Sequence, residues 1–340
     1  MNTIWNNLLV LILANFLLTW NLSVFGQEQD SCIWIITNRT INPPDEPGMF
    51  FGSKVDPQGR LRFVKGCKCP MERWNYQLRS DLNDLLQDMP SGKDIVVFVH
   101  GDYKAFDEAA DRGLEIENTY DVNVLLFTWP SRLPESFGTK NFKNSQNNVR
   151  LSAGQFYNML ELIQEYKTAP DSPWKNSRLT MFHHSLGNYF LERVATDSSI
   201  TINLQPGLFD NLVLNAAAVN AEGHEKWLEK INFARNIYVT SNKMDFNLNG
   251  VRFFTNDGKQ LGERIYPPLA GNAIYINFTE TVGFRTPTGA SHTYFLGEIM
   301  EEIPNLREFY NTIFHGEQPD LSDTTLFRVN TEGLGYDLIR

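Results

Sequence analysis

The feature that most constrains the fold is a rhythm. From residue 94 onward, short wholly apolar runs alternate with segments of helical periodicity. The runs "DIVVFVH" (94–100), "VNVLLFTW" (122–129), "SRLTMFH" (177–183) and "FDNLVLNAAAV" (209–219) read as strands, as do "ARNIYVTSN" (234–242) and "NAIYINF" (272–278). Between them "KAFDEAADRGLEIENTY", a stripe through Phe156, Met159, Leu160, Ile163 and Tyr166, "SLGNYFLERVA" and "AEGHEKWLEKI" read as helices, and "YFLGEIMEEIPNLREFYNTIF" closes the series. Strands that are apolar on both faces belong to parallel sheets covered by helices on both sides, so the pattern predicts an α/β fold with a mostly parallel sheet.

Upstream, "CIWIITN" (32–38) predicts a strand, and "MFFGSKVDPQGRLRFVKG" predicts a strand, a turn and a strand. "MERWNYQLRSDLNDLLQDM" (71–89) predicts a helix, with Trp74, Leu78, Leu82, Leu85 and Met89 on one face. The expected organisation is a leader over residues 1–26, one α/β domain over residues 27–316, and a tail over residues 317–340 without an assigned element. The leader rests on "LLVLILANFLLTW" (8–20), an apolar run of signal-peptide length followed by a small-residue site near Gly26. An uncleaved anchor helix is the alternative, although the run is short for a full span. Export would put Cys32, Cys67 and Cys69 in an oxidising compartment, where Cys32 pairs with Cys67 or Cys69 and one thiol is left over. Asn38 and Asn277 begin glycosylation sequons.

A net charge of −10, with no offsetting Lys/Arg cluster, argues against a nucleic-acid partner. No metal is expected. "CKC" with one remote cysteine is too sparse for a zinc site, and the adjacent His183 and His184 point to opposite faces of a strand.

In a parallel α/β sheet, functional groups collect at the carboxyl ends of the strands. Those ends deliver His100-Gly101-Asp102-Tyr103, Thr128-Trp129-Pro130-Ser131, His184-Ser185-Leu186-Gly187, Lys243-Met244-Asp245 and Ser291-His292. Ser, Asp and His therefore follow one another in the order used by α/β-hydrolases. Their roles would be Ser185 as nucleophile, His292 as general base and Asp245 as its orienting acid. The oxyanion would be held by the backbone N–H of Leu186 and by that of Asp102 or Tyr103. Trp129 and His183 are candidates for the substrate pocket. His100 and His184 read as loop-bonding residues. This chemistry needs no cofactor, and the partner it implies is a small-molecule acyl ester.

The motifs "ITNR", "VFVHG", "FTWPS", "HSLGN", "SNKMD" and "SHTYF", in that order over residues 32–300, resemble the α/β-hydrolases grouped as domain of unknown function 900. The resemblance implies the α/β-hydrolase fold and an esterase-like triad at Ser185, Asp245 and His292, without implying a substrate. The chain departs from the pattern in three places. His183 stands where the nucleophile motif G-x-S-x-G has its first glycine. Asp102 stands where an aromatic or small polar residue is expected. Around Ala218 and Asn220 the expected acidic residue is missing. The main expectation is an exported carboxylesterase or lipase-like enzyme. The polar stretch after Trp129 shows no lid, which favours a small or soluble acyl substrate. The departures motivate the alternative, a non-catalytic scaffold that binds a partner.

Overall fold

The computed structural model describes residues 31–41, 51–68, 73–255, 258–283 and 291–340. The apolar run at residues 8–20 and Cys69 lie outside them. The strands are β1 (Ser31–Thr37), β2 (Arg39–Ile41), β3 (Phe51–Val55), β4 (Arg62–Lys68), β5 (Trp74–Arg79), β6 (Ile95–Val99), β7 (Asn123–Thr128), β8 (Leu179–His184), β9 (Phe209–Asn215), β10 (Ala234–Ser241), β11 (Ile274–Asn277), β12 (Phe327–Val329) and β13 (Tyr336–Leu338). The helices are α1 (Leu82–Leu86), α2 (Phe106–Tyr120), α3 (Gly138–Thr168), α4 (Tyr189–Thr196), α5 (His224–Leu228), α6 (Phe246–Thr255), α7 (Ile299–Glu302) and α8 (Pro304–Phe314), with a 3-10 turn at Ser185–Asn188.

Among the described residues one sheet holds eleven strands in the order β12-β13-β11-β10-β9-β8-β6-β7-β1-β4-β5. From β1 through β11 to β13 neighbouring strands run parallel. The edges β4-β5 and β12 are antiparallel. Every residue of β6, β7 and β8 is buried, as largely apolar runs require of strands covered on both faces. The chain steps from β6 to β7 on one side of β6, then returns to place β8 on the other. The order thus reverses at β6, and the carboxyl ends of β6 and β8 flank the crevice where α/β proteins bind ligands.

Four local expectations need correction. The predicted helix over residues 71–89 is instead β5 followed by α1. Positions 74, 78 and 82 satisfy a period of two as well as a helical one, and Trp74, Tyr76 and Leu78 alternate along an edge strand paired to β4. The polar stretch after Trp129 is the first third of α3, a 31-residue helix. Buried polar side chains hold its start, not an apolar stripe. Asn141 Nδ2 donates to Ser131 O at 2.7 Å, and Ser145 Oγ donates to the same carbonyl at 2.8 Å. Residues beyond Gln318 add β12 and β13 to the sheet edge. Asn38 cannot serve as a glycan acceptor in the folded chain, because its side chain is fully buried and donates to Gln155 Oε1 at 2.8 Å.

Cys32 and Cys67 face each other on β1 and β4 and form a disulfide. No helix of the described residues is long and apolar enough to cross a membrane.

Candidate active site

Ser185 sits where β8 gives way to the 3-10 turn, and its φ is +54°. A left-handed backbone costs a non-glycine residue on the order of 1–3 kcal/mol, so neighbouring bonds must hold it. Ser185 O accepts from Ala218 N at 3.1 Å and from Asn188 Nδ2 at 2.9 Å. The turn is packed against the end of β6. A Cβ on Gly187 would lie 2.7 Å from both Val99 O and His100 O, and one on Gly101 would lie 2.7 Å from Ser185 Cβ. Both glycines are therefore required by close approach. Gly187→Ala is expected to cost about 3 kcal/mol, because backbone carbonyls cannot move aside as a flexible side chain can. The fall in the urea midpoint of unfolding measures it.

His183 is turned away from Ser185. Its ring is fully buried, donates from Nδ1 to Gly187 O at 2.9 Å and meets Phe156 edge-on at 5.6 Å. It thus closes the elbow from the helix side, where no glycine is needed. Trp129 is likewise fully buried, stacked on His100 at 5.5 Å with Nε1 donating to His100 O at 3.0 Å. Neither residue lines the cleft beside Ser185, so both are corrected from pocket walls to core. The direction of a side chain at a strand end, not its type, decides this.

His292 and Asp245 come together from different strand ends. His292 Nδ1 donates to Asp245 Oδ2 at 2.7 Å, which leaves Nε2 as the acceptor. Asp245 is fully buried at the start of α6. Its Oδ1 accepts from Asn247 N at 3.0 Å and Leu248 N at 3.1 Å, so one carboxylate caps the helix and orients the imidazole. Sequence reasoning missed Asn242, whose side chain donates to Gly283 O and Ser291 O, each at 3.0 Å, and ties the Asp245 loop to the His292 segment. An Asn three residues before the acid was its only signal.

Ser185, His292, His184, Asp102 and Tyr103 line one open cleft of about 510 Å³, with Phe142, Leu248 and Val251 among its apolar walls. The Ser185 hydroxyl donates to none of the described residues. His184 Nε2 donates to His292 O at 3.2 Å, and the two rings lie 4.7 Å apart. Burial, and then the neighbouring His292, hold His184 well below the usual imidazole range, so it is neutral. Asp102 accepts from Asn141 Nδ2 at 2.9 Å. Burial raises its carboxyl, against the opposing effect of its hydrogen bonds. Of the two N–H groups expected beside Leu186 N, that of Tyr103 is taken, donating to Ser131 O at 3.1 Å. Asp102 N and Leu186 N make no backbone hydrogen bond among the described residues.

Two further histidines brace the site. His100 donates from Nδ1 to Gly101 O at 2.8 Å and accepts from Trp129 N at 3.2 Å, fixing the β6 loop. Burial pushes His100 and His183 down to about 3, with the Arg39 guanidinium adding to the effect at His100. A lowered folded-state value means the unfolded chain binds more protons between about pH 6.5 and pH 3. Stability is then complete above pH 6.5 and lost as the pH falls. At pH 5 the two rings together are expected to cost on the order of 4 kcal/mol. Burial raises the Glu117 and Glu192 carboxyls to about 7, which stabilises the fold as the pH falls and works against the histidines. The test is therefore urea unfolding of Glu117→Gln, Glu192→Gln protein at pH 7.5 and pH 5, where equal midpoints would contradict the histidine cost.

Among the described residues no group of three His, Cys, Asp or Glu side chains is placed to hold a metal ion. A switch-point crevice, a strained serine after a central strand and a buried Asp–His pair define the α/β-hydrolase class. A family model described as alpha/beta hydrolase of unknown function (DUF900) matches residues 75–265, and the chain belongs to that family. The match takes in Ser185 and Asp245 and stops short of His292. No curated protein matches the chain.

Proposed function

We propose that this hydrolase is an exported serine carboxylesterase or lipase-like enzyme. The reading is carried by the pairing of His292 with Asp245 at 2.7 Å, with His292 lining the same cleft as the strained Ser185. Ser185 Oγ attacks the acyl carbon as His292 Nε2 takes its proton. The tetrahedral oxyanion is met by Leu186 N–H and Asp102 N–H. Collapse expels the alcohol, which receives the proton from His292 and leaves an acyl-enzyme. Water then attacks through the same base and restores Ser185. Asp245 keeps the proton on Nδ1 and stabilises the imidazolium.

The Cys32–Cys67 disulfide and the apolar run at residues 8–20 favour export. The unformed Ser185–His292 contact favours the scaffold alternative. Against it, catalytic hydrogen bonds often tighten only when substrate binds. The test is a fluorophosphonate probe and a panel of acyl esters on the purified protein. Labelling confined to Ser185, with ester turnover, is expected; an unlabelled Ser185 would overturn the reading.

A further inference from the structure

One positive charge at the cleft has nothing to balance it. Lys104 lines the cleft together with Ser185 and His292. Its backbone is bound inward: Lys104 N donates to Ser131 Oγ at 2.9 Å, and its carbonyl accepts from Arg39 Nη2 at 3.0 Å. The side chain is therefore what this residue presents to the cleft. Its ammonium makes no ion pair or hydrogen bond with any described residue. After burial and His292, the charges of Arg112 and Lys104 help keep the His184 ring neutral, which places the ammonium within electrostatic reach of the site.

The charges that face Lys104 cancel in pairs. They are Arg112, Glu108, Arg132 and Glu115. Arg112 pairs with Glu115 and Arg132 with Glu108, so together they add no net charge. Burial lowers the Lys104 ammonium, so its charge is held there at a cost that no side chain offsets. Asp102, the one carboxyl among the described residues of the lining, is tied to Asn141 Nδ2 at 2.9 Å and raised by burial. It is not among the charges that face Lys104. At the rim, Phe137 leans on Tyr103 with ring centroids 6.2 Å apart. Beside it Lys140 and Lys143 are exposed and likewise unpaired, opposed by the exposed Glu135. A chain of net charge −10 thus keeps unpaired cations along one side of this cleft.

We propose that Lys104 selects an ester that also carries a free carboxylate, holding that group while the ester carbonyl lies at Ser185. Lysine offers one compact charge, which matches a monoanion. A phosphate dianion would leave a charge unmet. Phe142, Leu248 and Val251 give the chain between carboxylate and ester an apolar wall. The choice of substrate rests on the hydrolase reading above; capture of the anion does not, and the experiment reads it separately.

The test uses two matched pairs, monomethyl adipate beside methyl hexanoate and 4-acetoxybutanoate beside butyl acetate. Each pair differs only by a carboxylate in place of a methyl group, on the acyl side in the first and on the alcohol side in the second. At least one carboxylate ester is expected to exceed its neutral partner in kcat/KM by about tenfold or more. In Lys104→Met or Lys104→Gln that ratio is expected to fall roughly ten- to hundredfold, and Lys104→Arg should keep most of it. A ratio near one in both pairs overturns the proposal. So does a ratio that survives loss of the ammonium, or a loss shared equally by both esters of a pair, which would make Lys104 only structural. Titration calorimetry on Ser185→Ala protein reads the anion site without turnover. Binding there that does not favour the carboxylate ester overturns the proposal. Binding that favours it and is lost on adding Lys104→Met, beside a wild type that turns over neither ester, would sink the enzyme reading and leave the anion site standing. Turnover of neutral and carboxylate esters alike would do the reverse.

Discussion

Ser185→Ala is expected to lower kcat on an ester substrate by at least about a thousandfold, with the fold intact. Alanine accepts the φ of +54° on the same terms as serine, and the bonds that hold the turn reach the backbone carbonyl, not the hydroxyl. On the proposed reading the substitution therefore removes the nucleophile and little else. What would remain is binding and the two proposed oxyanion donors, Leu186 N–H and Asp102 N–H, which cannot by themselves form an acyl-enzyme. Stopped assays on wild type and variant at matched concentration measure the ratio. Turnover within tenfold of wild type would place the nucleophile elsewhere.

Asp245→Asn should also cost heavily, about ten-thousandfold in kcat, and for a different reason. Asparagine can still accept from Asn247 N and Leu248 N through its carbonyl, and it caps helices as well as aspartate. Its amide then presents N–H to His292 Nδ1. The ring must accept there and carry its proton on Nε2, the atom that has to take the proton from Ser185. The expected pair of results is an unchanged melting temperature and a collapsed kcat. A loss of stability without loss of activity would make Asp245 only a cap. A loss of both would show that the amide fails to keep the cap.

The sequence made some of this site legible and hid the rest for physical reasons. Central strands β6, β7 and β8 were readable because burial on both faces forces a largely apolar run. The order of Ser185, Asp245 and His292 was readable because Ser185 and Asp245 follow strands directly and His292 comes after the last predicted one; in the structure His292 Nδ1 donates to Asp245 Oδ2. Trp129 and His183 misled because residue type does not say which way a strand-end side chain turns. The start of α3 was hidden because Asn141 and Ser145 anchor it through buried hydrogen bonds, which leave no periodic apolar trace. That hidden turn supplies Phe142 to the cleft and Phe137 to its rim, so a polar-looking loop turned out to carry the apolar contacts. Strands β12 and β13, three residues each, are too short to show a pattern.

The packing of Gly187 and Gly101 bears on how such enzymes are searched for. Steric need falls on the position two after the nucleophile and on the end of the neighbouring strand, where a methyl group would strike a carbonyl or the serine itself. The position two before it has room for an imidazole that donates back to Gly187. A search demanding G-x-S-x-G would discard this chain. One pairing H-G at a central strand end with S-x-G-N after the next parallel strand would keep it, and would recover hydrolases whose elbows are closed by a buried ring.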